Sequence, residues 1–295
     1  PQQAAVLGAI RLPRVLFALL AGAGLGLAGA LMQGLFRNPL ADPALVGVAS
    51  GAALAAASVI VLGGGWLATG LGRHALPVAA FAGALAVTAL VYRIGSHDGV
   101  VSLPTMLLAG IAVNSAAFAG IGFLTYVADD QQLRDLTFWN LGSLGATTWA
   151  TVYAATPFVL VALVLALALA APLDALSLGE ARAAQLGVDV ARVKLAAVVL
   201  TALLAGTVVA YSGVVGFVGL VAPHLVRLAC GPDQRVVVPG AALVGALLVV
   251  VADTVARTAA SPADLPLGVL TATIGAPLFV ALLFRMRRRL GGEPG

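Results

Sequence analysis

Charged residues are scarce in this sequence of 295 residues. Only 9% of the residues are Asp, Glu, Lys or Arg, whereas 61% are hydrophobic and the mean hydropathy is +1.07. A water-soluble domain carries about a quarter charged residues, so this composition does not fit a soluble fold. Apolar stretches of about 20 residues, long enough to cross a bilayer as helices, recur along most of the chain. The sequence predicts an integral membrane protein.

Side chains that commonly build catalytic or metal sites are also few. Cys230 is the only cysteine, which excludes an internal disulfide and a cysteine-based metal or redox cluster. The three histidines, His74, His97 and His224, are in separate segments and form neither a metalloprotease motif nor a nucleophile–base set. The only lysine, Lys194, is not preceded by glycine, so the chain lacks a phosphate-binding loop of the Gly-Lys-Ser/Thr type. We expect no catalytic site, no metal site and no cofactor in this chain.

Nine apolar segments are candidates for membrane-crossing helices. Windows of about 19 residues place eight long segments at residues 12–36, 44–62, 74–94, 103–127, 149–171, 191–212, 236–257 and 266–286. A ninth segment, residues 216–230, is short and contains Pro223, which removes a backbone donor from its middle. This segment is predicted to be a half-length or broken helix.

Two segments between the apolar runs are predicted to fold at or outside the membrane surface. Residues 129–142 are amphipathic, which favours a helix lying at the interface. Residues 177–194 form the most polar stretch of the chain. Their pattern predicts a short helix, a break at Gly187 and then the next span, with Asp189 near its N-terminus. Such a segment faces water or a soluble partner.

Four ionisable residues lie within or at the ends of apolar segments, where burial is expensive and function is a reasonable hypothesis. They are His224, Arg227, Asp253 and Arg257. Asp253 and Arg257 are four residues apart on one helix face, so a structural ion pair explains them equally well. Because Asp253 is the only acidic residue that approaches a mid-span position, an ion-coupled secondary carrier is the weaker hypothesis.

Small residues recur every fourth position in the first span, at Gly22, Gly26, Ala30 and Gly34. They form a stripe that allows another helix backbone to approach closely. The stripe indicates helix packing, with dimerisation or lining of a transport path as the other uses.

Several blocks of sequence resemble the FecCD-type permeases, the membrane subunits of ATP-binding-cassette importers for haem, ferric siderophores and cobalamin. The blocks follow the family order and cover nearly the whole chain, at residues 11–52, 137–145, 178–188, 213–228 and 252–279. The resemblance implies an all-α, polytopic membrane bundle that forms a single domain over residues 1–295. It further implies ten helices per subunit, of which nine are present here, because the family helix before residue 11 is missing.

The resemblance also implies the partners. The permease is expected to form a homodimer around a central path in the bacterial inner membrane, with two ATPase subunits inside and one periplasmic substrate-binding protein outside. ATP and Mg²⁺ are then bound by the ATPase subunits. The basic residues lie mostly at the ends of apolar runs, as in other helical membrane proteins, so no nucleic-acid partner is expected.

Three functional surfaces follow from the same resemblance. Arg11, Arg14 and Arg257 match arginines that dock the binding protein, with ordinary interfacial anchoring as the alternative. Residues 174–190 match the cytoplasmic coupling helices that seat in the ATPase. The candidate coupling residues are Leu178, Gly179, Glu180, Ala181, Ala184, Gln185, Leu186 and Gly187.

Two cytoplasmic gates complete the predicted site. Asn38, Pro39 and Leu40 match the loop of the first gate. Ser102 and Leu103 occupy the position of the second gate, although Leu103 and the following Pro104 depart from the small polar residues found there.

The sequence therefore predicts a permease that works by alternating access, driven by partner ATPases. The block at residues 136–145 resembles haem permeases most closely, which makes haem the first expected substrate. Ferric siderophores and cobalamin are the alternatives. A stand-alone secondary carrier and a membrane scaffold without transport are the rival classes.

Overall fold

The computed structural model describes residue 4 and residues 6–63, 72–97, 100–259 and 264–290. These residues form eleven α-helices and one short antiparallel hairpin. The helices are α1 (Leu12–Leu35), α2 (Val48–Leu62), α3 (Gly72–Gly95), α4 (Leu103–Val127), α5 (Asp130–Leu141), α6 (Trp149–Ser177), α7 (Glu180–Gln185), α8 (Val190–Ser212), α9 (Val218–Cys230), α10 (Gln234–Ala259) and α11 (Leu267–Leu290). The hairpin strands are β1 (Ser96–His97) and β2 (Val100–Val101), and a π-helical turn, Leu7–Arg11, leads into α1.

Six helices are long and apolar enough to cross a membrane: α1 with its π-helical turn, α3, α4, α6, α8 and α10. Three shorter apolar helices are α2, α9 and the first part of α11, Leu267–Pro277. The described part of the chain therefore contains nine apolar helices, in agreement with the nine predicted segments. The chain is a multi-pass membrane protein of the all-α class.

One predicted span begins in the wrong place. The apolar pattern indicated a helix from residue 44, but Pro43–Val46 form a 3₁₀ turn and α2 begins only at Val48. The turn ends at Gly47, whose φ of 85° lies in the left-handed region. This conformation favours glycine and interrupts the helix, although the surrounding side chains stay apolar.

Side-chain caps explain where α5 and α8 begin. Asp129 and Gln132 form a capping box at the start of α5, and the Asp189 carboxylate accepts a hydrogen bond of 3.1 Å from the N–H of Arg192 at the start of α8. The Asp129 and Asp189 carboxylates satisfy backbone donors that have no partner within the helix. The predicted helix within residues 129–142, the short helix α7 and the break at Gly187, where φ is 83°, are confirmed.

The centre of the bundle is built around α1. Gly22 lies against the backbone of Gly245, and Gly26 lies against the carbonyl of Ala241, so α1 and α10 approach through their main chains. Further along α1, Gly29 faces the carbonyl of Gly219 in α9. The stripe of small residues is therefore covered by helices of the same chain, which confirms its interpretation as a packing surface.

We expect Gly22→Ala to destabilise the protein, because its new Cβ would collide with the Gly245 backbone and force α1 and α10 apart. Overpacking of this kind costs about 1–3 kcal/mol. Thermal unfolding of the detergent-purified protein should show a lower midpoint. Gly122→Ala is the matched control, since Gly122 is an exposed glycine inside α4 with no atom near the position of a Cβ. Equal midpoints for the two variants would contradict the packing account.

Candidate functional site

The N-terminal end of α1 carries a cluster of ion pairs. Arg14 donates to Asp253 of α10 through Nη2 and Nε at 2.9 and 3.0 Å, and through Nη1 to Asp264 at 2.8 Å. Asp253 is buried, at 2% exposed. Arg257 Nε lies 3.2 Å from the same carboxylate, as the spacing predicted, but without the direction of a hydrogen bond. The cluster fastens α1 to α10 and to the segment that precedes α11.

The three predicted docking arginines therefore have different surroundings. Arg11 is exposed, and the Arg257 side chain is 27% exposed. The Arg14 side chain is only 11% exposed and is already neutralised by two carboxylates. Docking by these residues stays a prediction. For Arg14 it would require a partner carboxylate to replace Asp264, which is itself 41% exposed at its side chain.

The signature block at residues 137–145 joins helix ends near the same end of the bundle. The N–H of Ser143 donates to the carbonyl of Ser212, and the N–H of Leu267 donates to the carbonyl of Gly142, at 2.7 and 2.9 Å. Gly142 has a φ of 69° and lies against the Val214 carbonyl, so a side chain does not fit there. The block also lines a cavity of about 490 Å³ together with Tyr211.

The predicted coupling segment protrudes from the opposite end of α6. After Ser177 the chain turns at Gly179, where φ is 105°, and forms the six-residue helix α7. Ala183 is fully buried and anchors this helix, whereas Leu178 and Leu186 are 55% and 65% exposed. Ala181, Ala184, Gln185 and Gly187 are also exposed, while Gly179 and Glu180 are half-buried. A short helix flanked by exposed leucines is suited to contact a soluble partner.

Lys194 connects the coupling segment to the hairpin before α4. Its Nζ lies 2.7 Å from Oε2 of Glu180 and donates to the carbonyl oxygen of Val101, also at 2.7 Å. Lys194 is 2% exposed and is among the largest fully buried side chains of the described residues. From the sequence, this lysine indicated only that a nucleotide site is absent. Two features of the sequence could have indicated its role: Lys194 is the only lysine of the chain, and it lies close in sequence to Glu180.

The first predicted gate is a turn at the C-terminal end of α1. The Asn38 side-chain oxygen accepts a hydrogen bond of 3.0 Å from the N–H of Leu40, and the N–H of Asn38 donates to the Gln33 carbonyl. Arg37 adopts a φ of 48°, which is uncommon for a residue with a side chain. Asn38 and Pro39 line an open cavity of about 630 Å³.

Arg227 and Gln33 face each other beside this cavity. Arg227 Nη1 donates to the Gln33 side-chain oxygen, and the Gln33 amide donates to the carbonyls of Gly219 and Leu220, both at 3.3 Å. Arg227, one of the four ionisable candidates, thus has a polar partner that fastens α9 to α1. His224 differs, since its buried Nε2 has no hydrogen-bond partner within the described structure.

The second predicted gate lies where the hairpin meets α4. Ser102 follows β2, its N–H donates to the carbonyl of Gly95 at 2.9 Å, and its hydroxyl caps α4 by accepting from the N–H of Thr105. Leu103 is the first residue of α4 and is half-buried. The gate position is therefore attached directly to the strand that Lys194 holds.

Polar residues that the sequence analysis did not select hold the break between α1 and α2. The Asp42 carboxylate accepts a hydrogen bond of 2.8 Å from the N–H of Ala44, and the Asn114 amide donates to the Ala44 carbonyl at 3.1 Å. Desolvation raises the pKa of the Asp42 carboxyl above its ordinary value, and the hydrogen bond from Ala44 opposes this shift. Asp42 lines a small cavity of about 70 Å³ with Leu25 and Phe217.

Known proteins resemble this chain over almost its full length. The chain is 47% identical to the hemin transport system permease protein HmuU of Yersinia pestis, over 96% of this chain and 84% of that protein. It is 42% identical to the cobalamin import system permease protein BtuC of Halobacterium salinarum, over 94% of this chain and 73% of that protein.

Solved structures share the fold. One, described as a metal-chelate type ABC transporter in an inward-facing conformation, matches with a TM-score of 0.89 and 34% identity, covering 97% of this chain and 89% of that chain. PsaBC of Streptococcus pneumoniae, solved in complex with Fab, matches with a TM-score of 0.60 at 16% identity, covering 91% and 88%, and shows similarity of fold alone. The model of the FecCD transport family matches residues 1–285. The chain therefore belongs to the FecCD transport family.

Proposed function

We propose that this permease moves haem from the periplasm to the cytoplasm as part of an ATP-driven importer in the bacterial inner membrane. The observation that carries the proposal is the 47% identity with the hemin permease of Yersinia pestis over 96% of the chain. Cobalamin is the second candidate, because the cobalamin permease of Halobacterium salinarum is 42% identical over a similar length. A ferric siderophore, which is a large iron chelate like haem, is the remaining alternative.

The permease is proposed to carry no catalytic site and no cofactor of its own. ATP and Mg²⁺ are bound by two ATPase subunits that seat on residues 178–187. A second copy of the chain completes the central path, and one periplasmic binding protein delivers the substrate. The exposed apolar side chains of α4, among them Ile111, Phe118 and Phe123, are suited to contact lipid or the second copy.

The proposed path passes its substrate without tight coordination. Among the described residues, no group of three or more His, Cys, Asp or Glu side chains is placed to hold a metal ion. A path of this kind changes affinity by changing shape, so that ATP binding moves the coupling segment and shifts the gates between outward-open and inward-open states.

The rival reading as an ion-coupled carrier has little support from the described charges. Such a carrier uses intramembrane carboxylates that gain and lose a proton or cation. Asp253 is instead held by Arg14 and Arg257, and Asp174 near the end of α6 accepts a hydrogen bond of 2.8 Å from the N–H of Gln234. Both carboxylates hold helices together.

Reconstituted permease with its ATPase and binding protein should take up haem only when ATP is supplied, and haem should stimulate ATP hydrolysis more than cobalamin or a ferric siderophore does. The measurement is uptake into proteoliposomes, together with phosphate release. If cobalamin alone stimulates ATP hydrolysis, the substrate is cobalamin and not haem. Uptake that is driven by an ion gradient without ATP would contradict the importer.

A double variant provides the internal control for this experiment. Ala181→Glu with Ala184→Glu adds bulk and charge on the exposed face of α7, where a groove fitted to small side chains has no room for them. We expect the ATPase subunits to dissociate and uptake to be lost. Ala146→Glu, at an exposed position before α6 at the other end of the molecule, should leave the ATPase subunits bound.

A separate prediction concerns the docking surface. Arg11→Glu should lower the affinity for the binding protein, most strongly at low ionic strength, because exposed charges act on encounter and are screened by salt. Arg11 is the suitable target because it is exposed. Reversal of Arg14 would also strand the buried Asp253, and breaking a buried pair costs about 3–5 kcal/mol.

Arg134→Glu is the control for the docking measurement. Arg134 is an exposed arginine of α5, and α5 contacts the C-terminal end of α2 at the same side of the bundle as Arg11. The Arg134→Glu variant should have the same affinity for the binding protein as the unchanged permease. If Arg11→Glu and Arg134→Glu have equal affinities in low salt, Arg11 serves as a membrane anchor and the docking assignment is lost.

A further inference from the structure

Lys194 joins two parts of the protein that are far apart in the sequence. Glu180 belongs to the coupling helix α7, whereas Val101 is the last residue of β2, directly before the second gate position. The ammonium group lies 2.7 Å from an oxygen of each. One side chain thus spans from the surface that an ATPase would contact to the start of α4.

The surroundings of Lys194 make this connection specific. Its side chain is 3% exposed, whereas the Glu180 side chain is 42% exposed. A buried ammonium group is retained only where acceptors satisfy its donors, because desolvation of the charge is costly. A methionine or leucine would fill the same space without that cost. The charge is therefore explained by what it holds, namely one carboxylate and one backbone carbonyl.

The Val101 end of the connection is able to transmit movement. Strand β2 has two residues and pairs with an equally short strand, Ser96 with Val101 and His97 with Val100. The N–H of the next residue, Ser102, donates to the carbonyl of Gly95, and its hydroxyl caps α4. A displacement of the Val101 carbonyl is thus passed to the first turn of α4 through one peptide unit.

We propose that Lys194 is a positioning residue that transmits movement of the coupling segment to the second gate. The proposal rests on the proposed importer function, which supplies the movement. When the ATPase displaces α7, the Glu180 carboxylate draws the ammonium group with it, and the ammonium group draws the Val101 carbonyl. Ser102 and Leu103 follow, and the entrance to the path at this gate changes.

The test uses a cysteine at an exposed position beside the gate. Thr105→Cys in a Cys230→Ser background introduces one thiol per copy, because Cys230 is the only cysteine of the chain. The complete complex is labelled with a water-soluble maleimide without nucleotide and with a non-hydrolysable ATP analogue. We expect the labelling rate to differ between the two states, and we expect Lys194→Met to abolish the difference while the ATPase still co-purifies.

Arg192→Met is the matched control. Arg192 is a cation on the same turn of α8, but its side chain is 88% exposed and pairs only with Asp189 in the described structure, at 2.9 Å. This variant should keep the nucleotide-dependent difference in labelling. A purely structural lysine would give a different pattern, with a lower unfolding temperature in Lys194→Met but an unchanged response of the gate thiol to nucleotide.

An unchanged response in Lys194→Met overturns the proposal. If that variant does not assemble, Glu180→Ala carries the test, because Glu180 is partly exposed and the shortened side chain offers no oxygen to the ammonium group. An undiminished response in Glu180→Ala also overturns the proposal. A background protein that imports haem but shows no change at Thr105→Cys overturns the proposal and leaves the importer function intact. A background protein that neither binds the ATPase nor transports removes the importer function itself.

Discussion

Close approach of backbones along α1 sets the positions of α9 and α10. Helices in a bilayer gain no hydrophobic free energy from each other, so they associate through van der Waals packing and hydrogen bonds. Gly22 and Gly26 bring α1 onto α10, and Gly29 brings it onto α9. That approach places Arg14 opposite Asp253 at one end of α1 and Gln33 opposite Arg227 at the other. Polar contacts fix a position that the small residues allow.

The few charges of the chain divide by this arrangement into two kinds. Arg14, Asp253 and Arg227 hold the packed centre together and leave little for a partner to use. Arg11 and the exposed face of α7 lie outside that centre, at opposite ends of the bundle, where soluble proteins would reach them. Lys194 differs from both kinds, because it is buried but binds elements that are peripheral and short. A packed centre with a polar connection at its edge is suited to transmitting a movement of the coupling segment.

Local features were predictable from the sequence, whereas distant partners were not. The bounds of α4 and the cap at Asp189 follow from neighbouring residues, and the structure has them as predicted. The late start of α2 was missed because the turn at Pro43–Val46 is as apolar as a helix. The partners of Arg14 lie 239 and 250 residues away, and Val101 lies 93 residues from Lys194, so no spacing along the chain could indicate them. Resemblance to a family indicated the docking and coupling surfaces. It did not show that Arg14 is already paired with Asp253 and Asp264.

We propose that two copies of the chain surround one path whose cytoplasmic gates respond to nucleotide. The distance between spin labels at Asn38→Cys in the two copies, in a Cys230→Ser background, tests it most directly. Asn38 is exposed in the turn that ends α1, so a label is accommodated without disturbing the packed helices. We expect one short distance across the dimer axis in the state closed to the cytoplasm and a longer one in the inward-open state. A single distance in every nucleotide state of an active complex would contradict it.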